Sequence, residues 1–221
     1  MTVYKYLPSQ YADRMLSKGE FLFRSLSYFR DLEKDGVRQD NHEGILSHRP
    51  VQGLEINNPT TGETLYLPHR FESVAQVDQI FVACFSTELS SDLAAEFGAD
   101  ACIEITNVIK LVARVRGALR LRSVVDRKVL PFGLVEYRTG EEPPVVDWAL
   151  PEKIVMLKRI EYSRQKEFRI AFAEGDAFAV ENVALRLQCG EQSPQPQREQ
   201  YPQHLLKLGD ISKFGQLHLF S

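Results

Sequence analysis

Ile80-Phe-Val-Ala-Cys-Phe-Ser86 is a continuous apolar run of strand length. A strand open to water on one side alternates apolar and polar residues, so an unbroken run is expected where both faces are covered. It predicts a central strand with a packed layer on either side, and the rest of the chain has to supply those layers. With 221 residues and 43% hydrophobic content, 13 Phe among them, there is material for one domain with a real core.

Composition narrows the class of protein. The net charge of −3 provides none of the basic footprint of a dedicated duplex-DNA binder. Arg114, Arg116, Arg120, Arg122, Arg127 and Lys128 form a basic-rich region, read either as the solvated face of a helix or as a nucleic-acid contact. The three cysteines, Cys84, Cys102 and Cys189, are too scattered for a disulfide framework or a Cys-x-x-Cys metal site. Cys84 and Cys102 sit in apolar runs, as expected of buried thiols. The five histidines, His42, His48, His69, His204 and His218, lack metal-ligand spacing. The first residues lack an apolar signal region, and no apolar run approaches the roughly 20 residues that span a bilayer, so a cytoplasmic protein without membrane association is expected.

Along the chain, residues 3–6 read as a strand, Ser9 as the cap of a helix that ends at Gly19, and 21–24 as a second strand running into a short helix or loop at 25–31. Asp31, Glu33, Asp35 and Gly36 imitate the start of an EF-hand loop, but the twelfth position, where a bidentate Glu belongs, is His42. A hairpin is predicted over 55–68, a helical turn or two over 89–96, a strand over 101–105 and a helix capped by Thr106. Further strands are expected at 132–137, near Phe178 and at 183–187, with an amphipathic segment over 148–157. Residues 188–203, rich in Gln and Pro, read as a mobile loop, and 205–220 are apolar enough to dock on the core.

Tyr162-Ser-Arg-Gln-Lys-Glu-Phe-Arg-Ile-Ala-Phe172 reads as a two-faced strand. Alternation puts Phe168, Ile170 and Phe172 on a core face and Gln165, Glu167 and Arg169 on the other. That second face is either a solvated edge with an incidental ion pair, where Glu167 contributes little to stability, or a site.

Walker, Gly-x-Gly-x-x-Gly and Gly-x-Ser-x-Gly patterns are all missing, so an enzyme built from this chain works through carboxylate, hydroxyl and aromatic groups. A single carboxylate suits cleavage of a glycosidic bond with a good leaving group. Nicotinamide departs from NAD as a neutral molecule, which removes the need for the acid of ordinary glycoside hydrolysis. One glutamate then assists the developing positive charge. Such a site also needs an aromatic surface, hydroxyls near the ribose and a cation for pyrophosphate. Arg24, Ser25, Ser27, Tyr28, Phe29 and Arg30 supply all three. Each also has a purely structural reading, Tyr28 and Phe29 as core, Ser25 and Ser27 as caps, and Arg24 as the partner of a loop acid.

The order Tyr4-Lys-Tyr6, Phe23-Arg-Ser-Leu-Ser-Tyr-Phe-Arg-Asp31, Asp40-Asn-His-Glu-Gly44, Ala83-Cys-Phe-Ser86 and Gln165-Lys-Glu-Phe-Arg169 resembles a bacterial domain-of-unknown-function family. Its blocks are Tyr-Lys-Tyr, an acidic Arg-Asp loop, Cys-Phe-Ser and Glu-x-Glu-x-Arg. That family is similar in turn to the ADP-ribosyltransferase superfamily. The resemblance implies a single α+β domain over residues 1–221, with a mixed, mainly antiparallel split sheet of ADP-ribosyltransferase type and peripheral helices. It implies Glu167 as the catalytic carboxylate and Gln165 as the residue that orients the acceptor. Tyr4, Lys5, Tyr6, Arg24, Ser25, Ser27, Tyr28 and Arg30 become the NAD-binding set, with Lys5 or a flanking Tyr in place of the usual first-strand Arg or His. NAD is then the substrate, no metal is needed, and the acceptor is RNA or DNA in slight preference to protein. The implied role is a toxin of phage defence or of a toxin–antitoxin system, with an antitoxin or chaperone as partner. Two alternatives stand beside it: a metal-dependent nuclease using Asp31, Glu33, Asp40 and Glu43, and a non-catalytic module that binds a nucleotide or a protein through the same pocket.

Overall fold

The computed structural model describes residues 1–31, 40–126, 128–142, 149–189 and 198–220. Glu33, Asp35, Gly36, Arg127, Trp148 and the centre of the Gln/Pro-rich stretch, 190–197, lie outside the described residues. The chain runs β1 (Val3–Leu7), α1 (Ala12–Lys18), β2 (Glu20–Ser25), α2 (Leu26–Asp31), β3 (Ile45–His48), β4 (Leu54–Asn57), β5 (Thr64–Leu67), β6 (His69–Val74), β7 (Ile80–Ser86), α3 (Ser91–Glu96), β8 (Ala101–Ile105) and α4 (Val108–Leu119). It continues through β9 (Phe132–Leu134), β10 (Glu136–Arg138), α5 (Pro151–Ile154), β11 (Leu157–Arg159), β12 (Glu167–Ala173), β13 (Ala184–Cys189), β14 (Gln203–Lys207) and β15 (Gly215–Leu219). The architecture is α+β, with mostly antiparallel sheets and few helices.

The apolar run is β7, and it is central, as its composition requires. One of its edges pairs with β12 along the whole strand, from Glu167↔Ser86 to Ala173↔Ile80. The other edge is shared. β2 takes the early part through Arg24↔Val82 and Ser25↔Phe81, and β1 takes the last position through Tyr4↔Ser86. Two strands therefore diverge from one edge, and the sheet forks between them. β14 extends the sheet beyond β2, β8 and β15 extend it beyond β1, and β9 lies outside β12. β13, β6 and β3 form a second sheet, β4 and β5 the predicted hairpin, and β10 and β11 a short parallel pair.

Alternation along β7 and β12 separates two cores. Phe81, Ala83 and Phe85 join Phe168, Ile170 and Phe172 on one face. They pack with Phe21, Phe23 and the α4 stripe Val108, Leu111, Val112, Val115 and Leu119, whose spacing is that of a single helical face. On the opposite face Ile80, Val82, Ala171 and Ala173 pack with Leu26, Leu46, Ile154 and Val155.

Several local expectations change. Asn107, not Thr106, caps α4, its side chain accepting from the Lys110 amide at 2.9 Å, while the Thr106 amide is committed to the Phe214 carbonyl. Ser9 caps nothing; its amide and hydroxyl reach Asp100 instead. Phe178 lies in a turn, not a strand. The loop predicted over 188–203 is too long at both ends, because Gln188 and Cys189 pair with Arg70 and His69 on β6 and Gln203 pairs with Arg24 on β2. In the basic-rich region, Arg114 of α4 donates to the Leu208, Gly209 and Asp210 carbonyls between β14 and β15, and Arg122, just beyond α4, donates to the Leu205 carbonyl on β14. No described helix is long and apolar enough to cross a membrane.

Gly19 ends α1 with φ 61, in the left-handed region, where a Cβ would collide with the carbonyl oxygen of Gly209. Gly98 has a similar φ of 59 but meets nothing within 4 Å. Gly98→Ala should cost only the left-handed penalty of about 1–2 kcal/mol, whereas Gly19→Ala should cost clearly more. Urea denaturation of the two variants measures the difference, and equal losses would remove the collision as a cause.

Candidate functional site

The register across β1, β7 and β12 sorts one face of the fork into rows. Tyr4, Ser86 and Glu167 form the row at the end of the sheet. Cys84 and Arg169 form the next, and Arg24, Val82 and Ala171 the third. Cys84 pairs with neither β1 nor β2, and its carbonyl instead accepts from Lys5 Nζ at 2.8 Å. The space between the diverging strands is a cleft of about 560 Å³. Its walls include Tyr4, Tyr6, Tyr11, Tyr28, Phe29, Phe85 and Phe97, with Lys5, Arg14, Arg24, Lys158 and Arg169 set against Glu20 and Glu167.

At the floor, four charges of alternating sign are buried together. Arg169, 1% exposed, takes Glu43 in a bidentate pair at 2.5 and 2.9 Å, donates from Nε to Glu167 Oε1 at 2.5 Å, and reaches the Val155 carbonyl at 2.7 Å. Lys158 Nζ donates to Glu167 Oε2 at 3.1 Å and to Gln165 Oε1 at 2.9 Å. Lys158 and Tyr137 are neighbours on the parallel β10–β11 pair, and the Tyr137 hydroxyl accepts from the Glu167 amide at 2.8 Å. That short pair thus positions both ends of the first β12 residue.

Burial alone would raise the Glu167 carboxyl, but Arg169 and then Lys158 overcome it and hold the group far below the ordinary carboxylate range. It stays ionised at any physiological pH. Burial would lower Lys158, and Glu167 reverses that, so the ammonium stays charged. Burial together with the charge of Glu167 pushes the Cys84 thiol up to about 12, which leaves it an inert neutral donor to Glu167 and not a nucleophile.

The stretch read as one two-faced strand is in fact two elements. Residues 160–165 form a 3-10 helix, Lys166 turns through φ 43, and β12 starts only at Glu167. Gln165 is therefore on a helix, and a side-chain contact, not strand alternation, brings it to Glu167. The face expected to be solvated is buried, with Glu167 only 5% exposed, because β7 and β9 occupy both edges of β12. Glu167 is consequently part of the packing and not a dispensable surface acid.

Among the other expected residues, Tyr4, Lys5, Tyr6, Arg24 and Tyr28 line the cleft with Gln165 and Glu167. Arg24 lies over the Tyr28 ring at 3.9 Å and joins no ion pair among the described residues. Ser25, Ser27 and Arg30 are not in its walls. The two serine hydroxyls are buried and bonded to each other at 2.8 Å, with Ser27 also bonded to Asp78, since Ser25 pairs with Phe81 and shares its apolar face. Arg30 is turned to the Glu43 carbonyl. Of the acidic loop, Glu43 is spent on Arg169, and Asp40 accepts from the His42 amide. No three His, Cys, Asp or Glu residues are grouped to hold a metal ion among the described residues. Lys158, Arg169, Tyr137 and Glu43 were not part of the expected catalytic set. Lys158 and Tyr137 carry no sequence signal beyond a charge or a hydroxyl, whereas the sequence places Arg169 on the face of Glu167 and offers Glu43 only as a metal ligand of the nuclease alternative.

No protein-family model, curated protein or solved structure matches the chain.

The arrangement offers a ligand three things: aromatic walls, a guanidinium over a ring that joins no ion pair among the described residues, and an ionised carboxylate with fixed orientation. Arg24 and Glu167 are set four residues apart along β7, about 14 Å of strand at roughly 3.4 Å per residue. A ligand that meets both is extended, with its anionic part on one side and a hydrogen-bond donor on the other.

Removing Glu43 leaves Arg169 buried with half its partners, so Glu43→Ala should lose about 3–5 kcal/mol, measured by urea denaturation at pH 7. The depressed Glu167 carboxyl stabilises the fold above its unfolded pKa of about 4.3 and loses that contribution as pH falls below it. Glu167→Gln should be less stable than the parent at pH 7 but lose less between pH 7 and pH 3. Parallel losses in the two proteins would contradict the ionised, paired state.

Proposed function

We propose that the cleft binds NAD and that the protein transfers ADP-ribose from it to a macromolecular acceptor, a nucleic-acid base in slight preference to a protein side chain. The observation that carries this reading is the opposition of Arg24 on Tyr28 to the ionised Glu167 within one aromatic cleft. A dinucleotide is extended, carries its charge on a pyrophosphate and presents ribose hydroxyls at a distance from it, which suits that spacing. In the reaction the bond from ribose C1′ to the nicotinamide nitrogen breaks, and its electron pair leaves with neutral nicotinamide. The acceptor nucleophile then bonds to C1′ and gives up its proton to solvent water.

Glu167 contributes direction in this scheme. Lys158 and Arg169 already neutralise it, so it acts as a fixed acceptor for a ribose hydroxyl more than as a bare counter-charge. The split, mainly antiparallel sheet is compatible with an ADP-ribosyltransferase type of fold, and a role as a toxin in phage defence, with an antitoxin or chaperone as partner, belongs to the same proposal. The neutralised carboxylate also favours a second reading, a nucleotide-binding module without turnover.

Purified protein incubated with labelled NAD and cellular RNA, DNA or protein should release nicotinamide and label one acceptor class, with no loss on chelation. Glu167→Gln should lower the rate by about 100-fold or more, while Arg24→Gln, a change at the cleft wall, should weaken NAD binding. Calorimetric NAD binding without nicotinamide release would establish the module instead. Absence of both binding and release in the folded parent would overturn the proposal.

A further inference from the structure

Strand alternation does not align the side chains of Gln165 and Glu167, since Lys166 at φ 43 separates the 3-10 helix from β12. They meet through Lys158. An ammonium has three N–H donors. One goes to Gln165 Oε1 at 2.9 Å and one to Glu167 Oε2 at 3.1 Å, and the face of the Tyr162 ring lies 4.7 Å from Nζ. Lys158 is 8% exposed yet lines the cleft, so its charge is held at the floor and does not snorkel to solvent.

We infer that Lys158 is a positioning residue of this cleft, which sets Gln165 in register with Glu167 and fixes the orientation of both side chains. With Oε1 committed to the ammonium, the orientation of the Gln165 amide is determined and its NH2 is turned from Lys158. With Oε1 of Glu167 on Arg169 Nε, Oε2 on Lys158 and, at 3.4 Å, on Arg169 Nη2, and the Cys84 thiol donating to the same group, the carboxylate plane is fixed as well. The functional meaning of this inference rests on the proposed NAD-dependent reading, but the positioning itself does not. A lysine that merely offset buried charge would be replaceable by any change that preserved folding.

Two variants separate these cases, Lys158→Met, which keeps the stem and removes the donors, and Lys158→Arg, which keeps a donor at the same place. In NAD turnover, Lys158→Met should lower kcat by about 100-fold with little change in KM, and Lys158→Arg should recover most of it. Parent kcat in folded Lys158→Met would overturn the inference.

Titration of carbon-13-labelled glutamate carboxyls by NMR tests the positioning without any turnover. The Glu167 signal should titrate at higher pH in Lys158→Met than in the parent, and coincident curves would overturn the inference. A shifted curve together with no nicotinamide release from the parent would leave the positioning intact and remove only the NAD reading. Should Lys158→Met not fold, Gln165→Leu in the intact network serves instead. It removes one contact of Lys158, and it should lower kcat with little change in KM; an unchanged kcat in that variant would overturn the inference.

Discussion

Arg169 is a cation with almost no water around it, and two carboxylates and a backbone carbonyl stand where that water would be. Each ion taken from water costs several kcal/mol, so such a group persists only if its partners are equally fixed. Here they come from distant parts of the chain. Glu43 arrives from the loop after α2, Val155 from the end of α5, and Glu167 from two residues earlier on β12. Lys158 closes the series by meeting the second oxygen of Glu167. The alternation of sign leaves the group neutral as a whole, and the same contacts that satisfy the charges tie the loop at 40–44 to the central sheet.

The fork in the sheet determines where this neutral group can be reached from outside. Had β1 or β2 paired with β7 along its whole length, the edge of β7 at Cys84 would be closed. Instead β1 holds only Ser86, β2 holds Val82 and Phe81, and Lys5 bridges the open edge at Cys84. The floor of the cleft is therefore the polar end of the very strand pair whose other end is core. Ala171 and Ala173 follow Glu167 and Arg169 on one face of β12, and the change from charge to methyl along four alternate positions marks the boundary between site and packing.

Much of the framework was legible because it obeys short-range rules. An unbroken apolar run had to be a strand covered on both faces, Gly19 had to end a helix, and the apolar positions of α4 had to face one side. The site was legible only in part, and the reason is the same at each failure. Strand alternation assigns Gln165, Glu167 and Arg169 to one face, but it does not reveal Lys166 in the left-handed region or the pairing of β12 on both edges. A polar face can be solvated or can be buried against opposite charge, and periodicity is identical in the two cases. Ser25 and Ser27 show the converse: hydroxyls next to Arg24 suggest a binding surface, whereas the register of β2 against Phe81 turns Ser25 into the core. What decides these cases is contact between residues such as Glu43 and Arg169, separated by 126 positions, which no local pattern encodes.

The neutrality of the floor also determines how the cleft would sort the parts of a ligand. Arg14 is paired with Glu20 at 2.7 Å, and Lys158 and Arg169 are matched by Glu167 and Glu43, so these charges largely cancel beyond their own contacts. Arg24, stacked on Tyr28, keeps its charge uncompensated among the described residues on the β2 wall. The field inside the cleft is consequently directional, attracting an anion to β2 and leaving the β12 end to groups recognised by hydrogen-bond geometry. In the proposed NAD complex this places the pyrophosphate by charge and the ribose by fixed acceptors. Electrostatics then sets the polarity of binding, while the Lys158–Glu167–Arg169 contacts set its precision.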